Sequence, residues 1–446
     1  MRPLLSVFPV IIVIFAAAFN CASAKSNNGK AVVCYVATWA HYRVDHGKFE
    51  LKDLRPELCT HLVYAFAGLD TSSWTIRSLD RWLDIDIGGS GMYKTMTSLR
   101  QAYPDLTVSL AIGGWNEGSK NYSSLVKFPE RRKKFVDSVV KLLGQYGFNG
   151  FDLDWEFPGE RGGDESDKEN FVALVKELSD AFRGRRYHLS AAISANIQTI
   201  KNGYNIVELS KYLDYIHVMT YDYHTSWERK VLPNAPLRSA DGSNVESTLK
   251  HLLKEGAPPN KLVMGVAFYG RTFELIESLE SPNESPVGKA CTQEGFQGPY
   301  TKQDGFMGYN EICEELVQNP NNWKTGWDDM GMVPYMINDK KVVIYDDLMS
   351  VTAKVNLAND LNLGGVMIWS IDTDDFRGKC AVLPSHSVGS TANFPLTRII
   401  KSVFIKTVPE IPKQKTDGNN SAERFGFSYV ILLIGLAVIY ARERLV

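Results

Sequence analysis

The sequence predicts an α/β protein on a parallel sheet with a small α+β domain inserted, and three observations predict it. Apolar, β-rich runs recur at Ala31–Ala37, His61–Ala67, Leu106–Ile112, Phe148–Trp155, His188–Ala195, Leu213–Thr220, Leu262–Phe268 and Gly365–Trp369. Between most of them lie segments of helical periodicity, among them Pro129–Gly144, Ser166–Phe182, Asn244–Lys254 and Leu348–Asn359. Strands that alternate with helices form a parallel sheet. Eight strands suggest closure into a (β/α)8 TIM barrel, although alternation alone also allows a doubly wound sheet. The third observation is the interval between Phe268 and Gly365. It is too long for a loop and has its own aromatic residues, Tyr300, Phe306, Tyr309 and Tyr335. Residues 272–343 are therefore expected to form the inserted domain, as one wall above the barrel mouth.

At the N-terminus, Arg2, the apolar run Leu4–Phe19 and Ala22-Ser23-Ala24 before Lys25 read as a secretory signal over residues 1–24. The barrel then occupies 25–406. After Lys406, residues 407–424 are polar, with two prolines and no periodicity, and read as a stalk. Phe425–Ala441 is nearly all apolar and is followed by Arg442 and Arg444. That run is near the lower length limit for a membrane span, and the arginines place residues 442–446 in the cytosol. The expectation is a single-pass protein on the outer side of the plasma membrane. A cleaved glycolipid-anchor signal, or plain secretion, is the alternative.

A formal net charge of −2 offers no electrostatic case for nucleic acid as partner; a neutral polymer such as a polysaccharide fits better. Cys21 leaves with the signal, and Cys34, Cys59, Cys291, Cys313 and Cys380 remain. An odd set in an oxidising compartment implies two disulfides and one spare thiol, with the pairing open. Acceptor sequons at Asn121, Asn283 and Asn419 suit an extracellular surface. The cluster Gly88-Gly89-Ser90-Gly91 lacks the spacing and preceding strand of a phosphate loop, and the histidines show no zinc spacing. No cofactor or metal is predicted.

Chemistry concentrates in Asn149-Gly150-Phe151-Asp152-Leu153-Asp154-Trp155-Glu156. Alternate residues of a strand share a face, so the three acids point one way and Phe151, Leu153 and Trp155 the other. A solvated acidic edge would look the same. However, Asp154 and Glu156 stand at the C-terminal end of their strand, which is where the chemistry of such barrels sits. Trp39, Trp115, Tyr221, Trp227, Tyr269 and Trp369 cluster at the ends of the other strands. Sugars stack their apolar CH faces on aromatic rings while their hydroxyls need polar partners, so an acidic, aromatic cleft reads as a carbohydrate site. Glycoside cleavage normally uses two opposed carboxyls. Asp154 and Glu156 approach from one side only, so something else must attack the anomeric carbon.

These residues carry a family resemblance. From about Lys30 to Phe404 the chain resembles glycoside hydrolase family 18 chitinases, especially insect-type ones. The resemblance rests on DGxDxDxE at Asn149–Glu156, Ala111-Ile112-Gly113-Gly114-Trp115, Met219-Thr220-Tyr221-Asp222, Tyr269-Gly270-Arg271 and Trp369-Ser370-Ile371-Asp372. It implies a TIM barrel with an insertion domain, and retaining cleavage of β-1,4-linked N-acetylglucosamine polymers, chitin or chitooligosaccharides, by a monomer. Family 18 enzymes are substrate-assisted. The resemblance therefore makes Glu156 the general acid, then base, and the substrate's acetamide oxygen the nucleophile. It makes Asp154 the group that orients the acetamide, and Asp152 a partner that shares its proton. Tyr221 and Asp222 match residues that hold the acetamide and nearby hydroxyls. Tyr269 and Arg271 line the cleft, Trp369 is its floor, and Trp39, Trp115 and Trp227 are stacking platforms. Tyr35, Phe66 and Met219 complete the implied substrate-binding set. The disulfides carry over as Cys34–Cys59 and Cys313–Cys380. Two positions depart from the pattern: Asn149 replaces the first Asp, away from the chemistry, and Phe157 replaces a tyrosine near the leaving sugar.

Overall fold

The computed structural model describes residues 29–281, 284–380 and 393–405. The first eight strands are β1 (Ala31–Ala37), β2 (His61–Asp70), β3 (Thr75–Ser78), β4 (Thr107–Gly113), β5 (Gly150–Asp154), β6 (His188–Ser194), β7 (Tyr215–Met219) and β8 (Leu262–Ala267). Five more, β9 (Tyr269–Glu274), β10 (Phe306–Gly308), β11 (Lys324–Asp328), β12 (Val333–Asn338) and β13 (Lys341–Ile344), precede β14 (Gly365–Trp369). Strand β1 pairs in parallel with β2, Val33 opposite His61, and with β14, Ala31 opposite Gly365. The sheet therefore closes, which excludes the open doubly wound arrangement. The chain is a (β/α)8 barrel. Strand β3, unforeseen from the sequence, hairpins back antiparallel on β2 outside the barrel wall.

Helices Pro129–Tyr146, Asp167–Phe182, Val245–Lys254 and Leu348–Asp360 lie close to the predicted bounds. Asn244 is the cap rather than the first helical residue, its side chain accepting from the Ser247 amide at 2.8 Å. The first of these helices buries Phe135, Val139 and Leu143 along one stripe, the spacing of one helical face.

Two apolar layers result. Outside the strands, Phe151, Leu153 and Trp155 join the core shared with the helices; inside, Val33, Val63, Ala111, Val263 and Met367 fill the barrel. Each large side chain contributes about 1.5–3 kcal/mol by leaving water. A one-residue slip of β5 would exchange its faces and forfeit that burial. Packing on the outer face thus forces Asp152 and Asp154 into the barrel.

The insertion is an antiparallel sheet, ordered β10-β9-β13-β12-β11, with helix Tyr309–Gln318. It begins at Tyr269 rather than Thr272 and ends at Ile344 rather than Val343. Only Phe268 separates β8 from β9, so no turn signal marks the boundary. Cys34 is joined to Cys59, and Cys313 of the insertion helix to Cys380 after β14. Cys291 is free and buried in the insertion core. Burial pushes its thiol up to about 11, away from the thiolate, which is the reactive form.

Asn121 is exposed on helix Lys120–Val126. Asn283 and Asn419, the signal 1–24, the stalk 407–424, the apolar run 425–441 and the tail 442–446 lie outside the described residues. Among the described residues no helix is long and apolar enough to cross a membrane.

Candidate active site

The acids of β5 stand where β4 and β5 converge. Gly113 pairs with Asp154, and the Gly114 amide donates to the Asp154 carbonyl at 2.8 Å. A Cβ on Gly113 would lie 2.0 Å from that carbonyl oxygen, and Gly113 has φ of 115°, so only glycine fits.

Asp152 is fully buried. Tyr35 donates to it at 2.6 Å, Ser190 donates at 2.6 Å, and His217 Nδ1 lies 3.2 Å from it. Burial alone would raise its pKa, but His217, Ser190 and Tyr35 outweigh burial and hold the carboxylate below its ordinary range. Asp154 is buried too. Burial, then the charges of Glu156 and Asp152, push it well above the carboxylate range. Its Oδ1 has no protein partner. The two shifts run in opposite directions, which favours the proton on Asp154 over Asp152, and Asp154 keeps one oxygen without a protein partner. Glu156 is raised to about 7, first by burial and further by the charge of Asp222, while Arg161 opposes the shift. A carboxyl still protonated near neutrality is what a general acid requires.

The cleft above them has a volume of about 1460 Å³. Twelve of the predicted residues line it: Trp39, Phe66, Trp115, Asp154, Glu156, Met219, Tyr221, Asp222, Trp227, Tyr269, Arg271 and Trp369. Tyr35 and Asp152 do not. Tyr35 was expected to contact substrate, yet it lies beneath the floor with its hydroxyl on Asp152, because β1 turns that residue into the barrel. Trp39, Phe66 and Trp369 form an aromatic group, with ring centroids 5.8–6.1 Å apart. Trp227 is 69% exposed, leaving its ring open to a sugar, and Trp115 is 60% exposed with one ring face covered by Arg161. Tyr269 donates to Asp222 at 2.7 Å and Arg271 pairs with the same oxygen at 2.6 Å. Gln303 and Lys302, on the loop before β10, supply the insertion's wall. Phe157 also lines the cleft, so a hydroxyl is absent there. Asn149 lies far below, its side chain accepting from the Val108 amide of β4 and donating to the Leu106 carbonyl just before it.

Three participants escaped the sequence reading. His217 had a signal, since it is the one charged-type residue inside the strand Tyr215–Met219; Ser190 shares its strand with His188 and Ser194 and did not stand out. Arg161 had no signal. Its guanidinium lies 3.6 Å over the Trp115 ring and donates to the carbonyls of Trp115, at 3.0 Å, and Glu156, at 2.9 Å. Arg161 thus links the acid to a platform residue. A general acid at Glu156 would have to be protonated, so in that role activity should be present at low pH and fall as pH rises through about 7. Arg161→Gln keeps an amide donor but removes the positive charge that opposes the shift, so the alkaline limb of kcat/KM should move upward. The movement should be modest, because Arg161 is solvent-exposed. A pH–rate profile checks this; an unmoved or acid-shifted limb would remove Arg161 from that role.

Residues 31–374 match the model of the glycosyl hydrolases family 18, and the chain belongs to that family. It is 42% identical over 444 residues to probable chitinase 2 of Drosophila melanogaster, covering 92% of this chain and 90% of the relative. It is 37% identical to the endochitinase of Manduca sexta, covering 80% and 66%. Among solved structures, the Group IV chitinase of Ostrinia furnacalis in complex with allosamidin superposes with a TM-score of 0.78 at 40% identity, over 85% of this chain and 100% of that one. Human YKL-39, described as a pseudo-chitinase with retained chitooligosaccharide binding, superposes at 0.74 and 32% identity, over 84% and 99%.

Proposed function

We propose that this family 18 protein is an active chitinase that cleaves β-1,4 linkages between N-acetylglucosamine units by a retaining, substrate-assisted mechanism. The observation that carries the reading is the arrangement of three acids along one strand face: Asp152 buried and held by Tyr35 and Ser190, Asp154 buried with Oδ1 free of protein partners, and Glu156 lining the cleft, its carboxyl raised to about 7. In the first step Glu156 gives its proton to the glycosidic oxygen as the C1–O bond breaks, and the substrate's own acetamide oxygen bonds to C1. Asp154 holds the acetamide N–H and supports the positive charge of the oxazolinium ion, drawing its proton toward Asp152. Tyr221 and Asp222 hold the acetamide and neighbouring hydroxyls. Water, deprotonated by Glu156, then opens the ion from the opposite side, so the anomeric configuration is retained.

Partly deacetylated chitosan tests the nucleophile. Chains should not be cut where glucosamine occupies the reacting position, and a thiazoline mimic of the oxazolinium should inhibit strongly, since intermediate mimics bind far better than substrate. Cleavage directly after glucosamine units, with no inhibition by the mimic, sinks the mechanism. The alternative reading, a sugar-binding pseudoenzyme, is favoured by the likeness to YKL-39, but an intact Asp152-Asp154-Glu156 set speaks against it.

For location, the sequence supports export and anchorage through residues 425–441. Deleting residues 425–446 should release active enzyme from the cell surface, and a phospholipase that cuts glycolipid anchors should release none. Full-length protein found wholly in the medium contradicts the anchor.

A further inference from the structure

Asn234 is 2% exposed, belongs to none of the motifs above, and lies in the segment between β7 and helix Val245–Lys254. Its neighbour Asp222 carries a left-handed backbone, φ 55°, a conformation that aspartate adopts more readily than most residues but that still needs support from its surroundings. Asn234 supplies that support twice. Its side-chain Oδ1 accepts the Asp222 amide at 2.9 Å, and its main-chain carbonyl accepts the next amide, of Tyr223, at 3.0 Å. With Oδ1 engaged, the orientation of the amide is set. The remaining donor, Nδ2, is buried without a protein partner meeting hydrogen-bond geometry. The Tyr269 hydroxyl and the Asn234 side chain converge on Asp222, the one on its carboxylate and the other on its amide, and the Asn234 side chain eases the rise that burial and the Asp222 charge impose on that hydroxyl. The Tyr269 hydroxyl itself donates to Asp222 at 2.7 Å, which leaves its lone pairs available. A buried donor beside an available acceptor is a contact that a small movement completes.

We propose that Asn234 is a positioning residue for the reaction: it holds the Asp222 turn through two carbonyls and, during turnover, donates from Nδ2 to the Tyr269 hydroxyl, keeping that hydroxyl aimed at Asp222. The result is a directed chain, Asn234 N–H to Tyr269 O–H to the Asp222 carboxylate, anchored from the other side by Arg271. This inference rests on the chitinase reading, and wild-type turnover of a chitooligosaccharide, measured first, tests that reading separately.

The experiment is a double-mutant cycle. Asn234→Asp preserves the acceptor for the Asp222 amide but replaces the donor with a second carboxylate, which competes for the Tyr269 proton. Asn234→Ala removes both. Each should lower kcat/KM on chitohexaose, by up to roughly 10²-fold for a misplaced cleft group, with the larger loss for Ala. In an Asp222→Ala background the same changes should cost less than about threefold, because coupled residues are not additive. Equal losses in both backgrounds overturn the proposal, as does Asn234→Asp with wild-type kcat/KM. Thermal unfolding of each variant separates a folding defect: if Asn234→Ala does not fold, the near-isosteric Asn234→Asp carries the cycle alone.

Discussion

Glu156→Gln should abolish hydrolysis while leaving the fold and oligosaccharide binding nearly intact. The amide keeps the shape and hydrogen-bonding reach of the carboxyl but cannot deliver a proton to the glycosidic oxygen. The expected loss in kcat is ~10²–10⁴-fold at minimum, the range of general acid catalysis. Binding, measured by calorimetry with chitooligosaccharide, should persist, since the aromatic platforms Trp39, Trp115, Trp227 and Trp369 are untouched. Near-wild-type turnover would remove Glu156 from its role. Loss of binding together with activity would show a disturbed cleft instead.

Asp154→Asn should come next in size. Asp154 is buried, protonated and has one oxygen without a protein partner. Asparagine preserves a carbonyl acceptor for the acetamide N–H but cannot pass a proton to Asp152, nor become negative as the oxazolinium forms. Losing one preorganised electrostatic contact to a developing charge costs ~10²–10³-fold in kcat. KM should change little, because the ground-state acetamide still finds an acceptor. A drop confined to KM, with kcat intact, would mean that Asp154 only binds substrate. Asp152→Asn should reproduce part of the loss, since Tyr35 and Ser190 would then meet a neutral amide in place of the carboxylate.

Much of this was legible before any coordinates. The eight barrel runs were readable because each strand is buried on both sides and therefore mostly apolar, and the four helices because a single stripe faces the sheet. The alternation of Asp152, Asp154 and Glu156 with Phe151, Leu153 and Trp155 placed the acids on one face without ambiguity, since a strand's period is two. Strand β3 was not legible: four residues with two charged or polar side chains outward carry too little periodicity, and only pairing with β2 makes them a strand. The start of the insertion was missed for a related reason. Tyr269-Gly270-Arg271 reads as the end of a barrel strand, and only its antiparallel partner β13 assigns it to the second sheet.

The sequence by itself determined the alternating α/β order, the identity of the acids and the aromatic residues at strand ends, because these depend on local periodicity and residue chemistry. Tertiary structure alone decided closure of the barrel, the different surroundings of the three acids, and the contacts of Arg161, His217, Ser190 and Asn234. Those outcomes come from groups distant in the chain, such as Tyr35 and Asp152 or Ala31 and Gly365, brought into contact by folding, and a pKa is set by whichever burial and charges surround a group in space. Tyr35 shows the limit most directly. Its residue type suits a sugar platform, but the direction of β1 turns it under the floor, where its hydroxyl serves Asp152 instead.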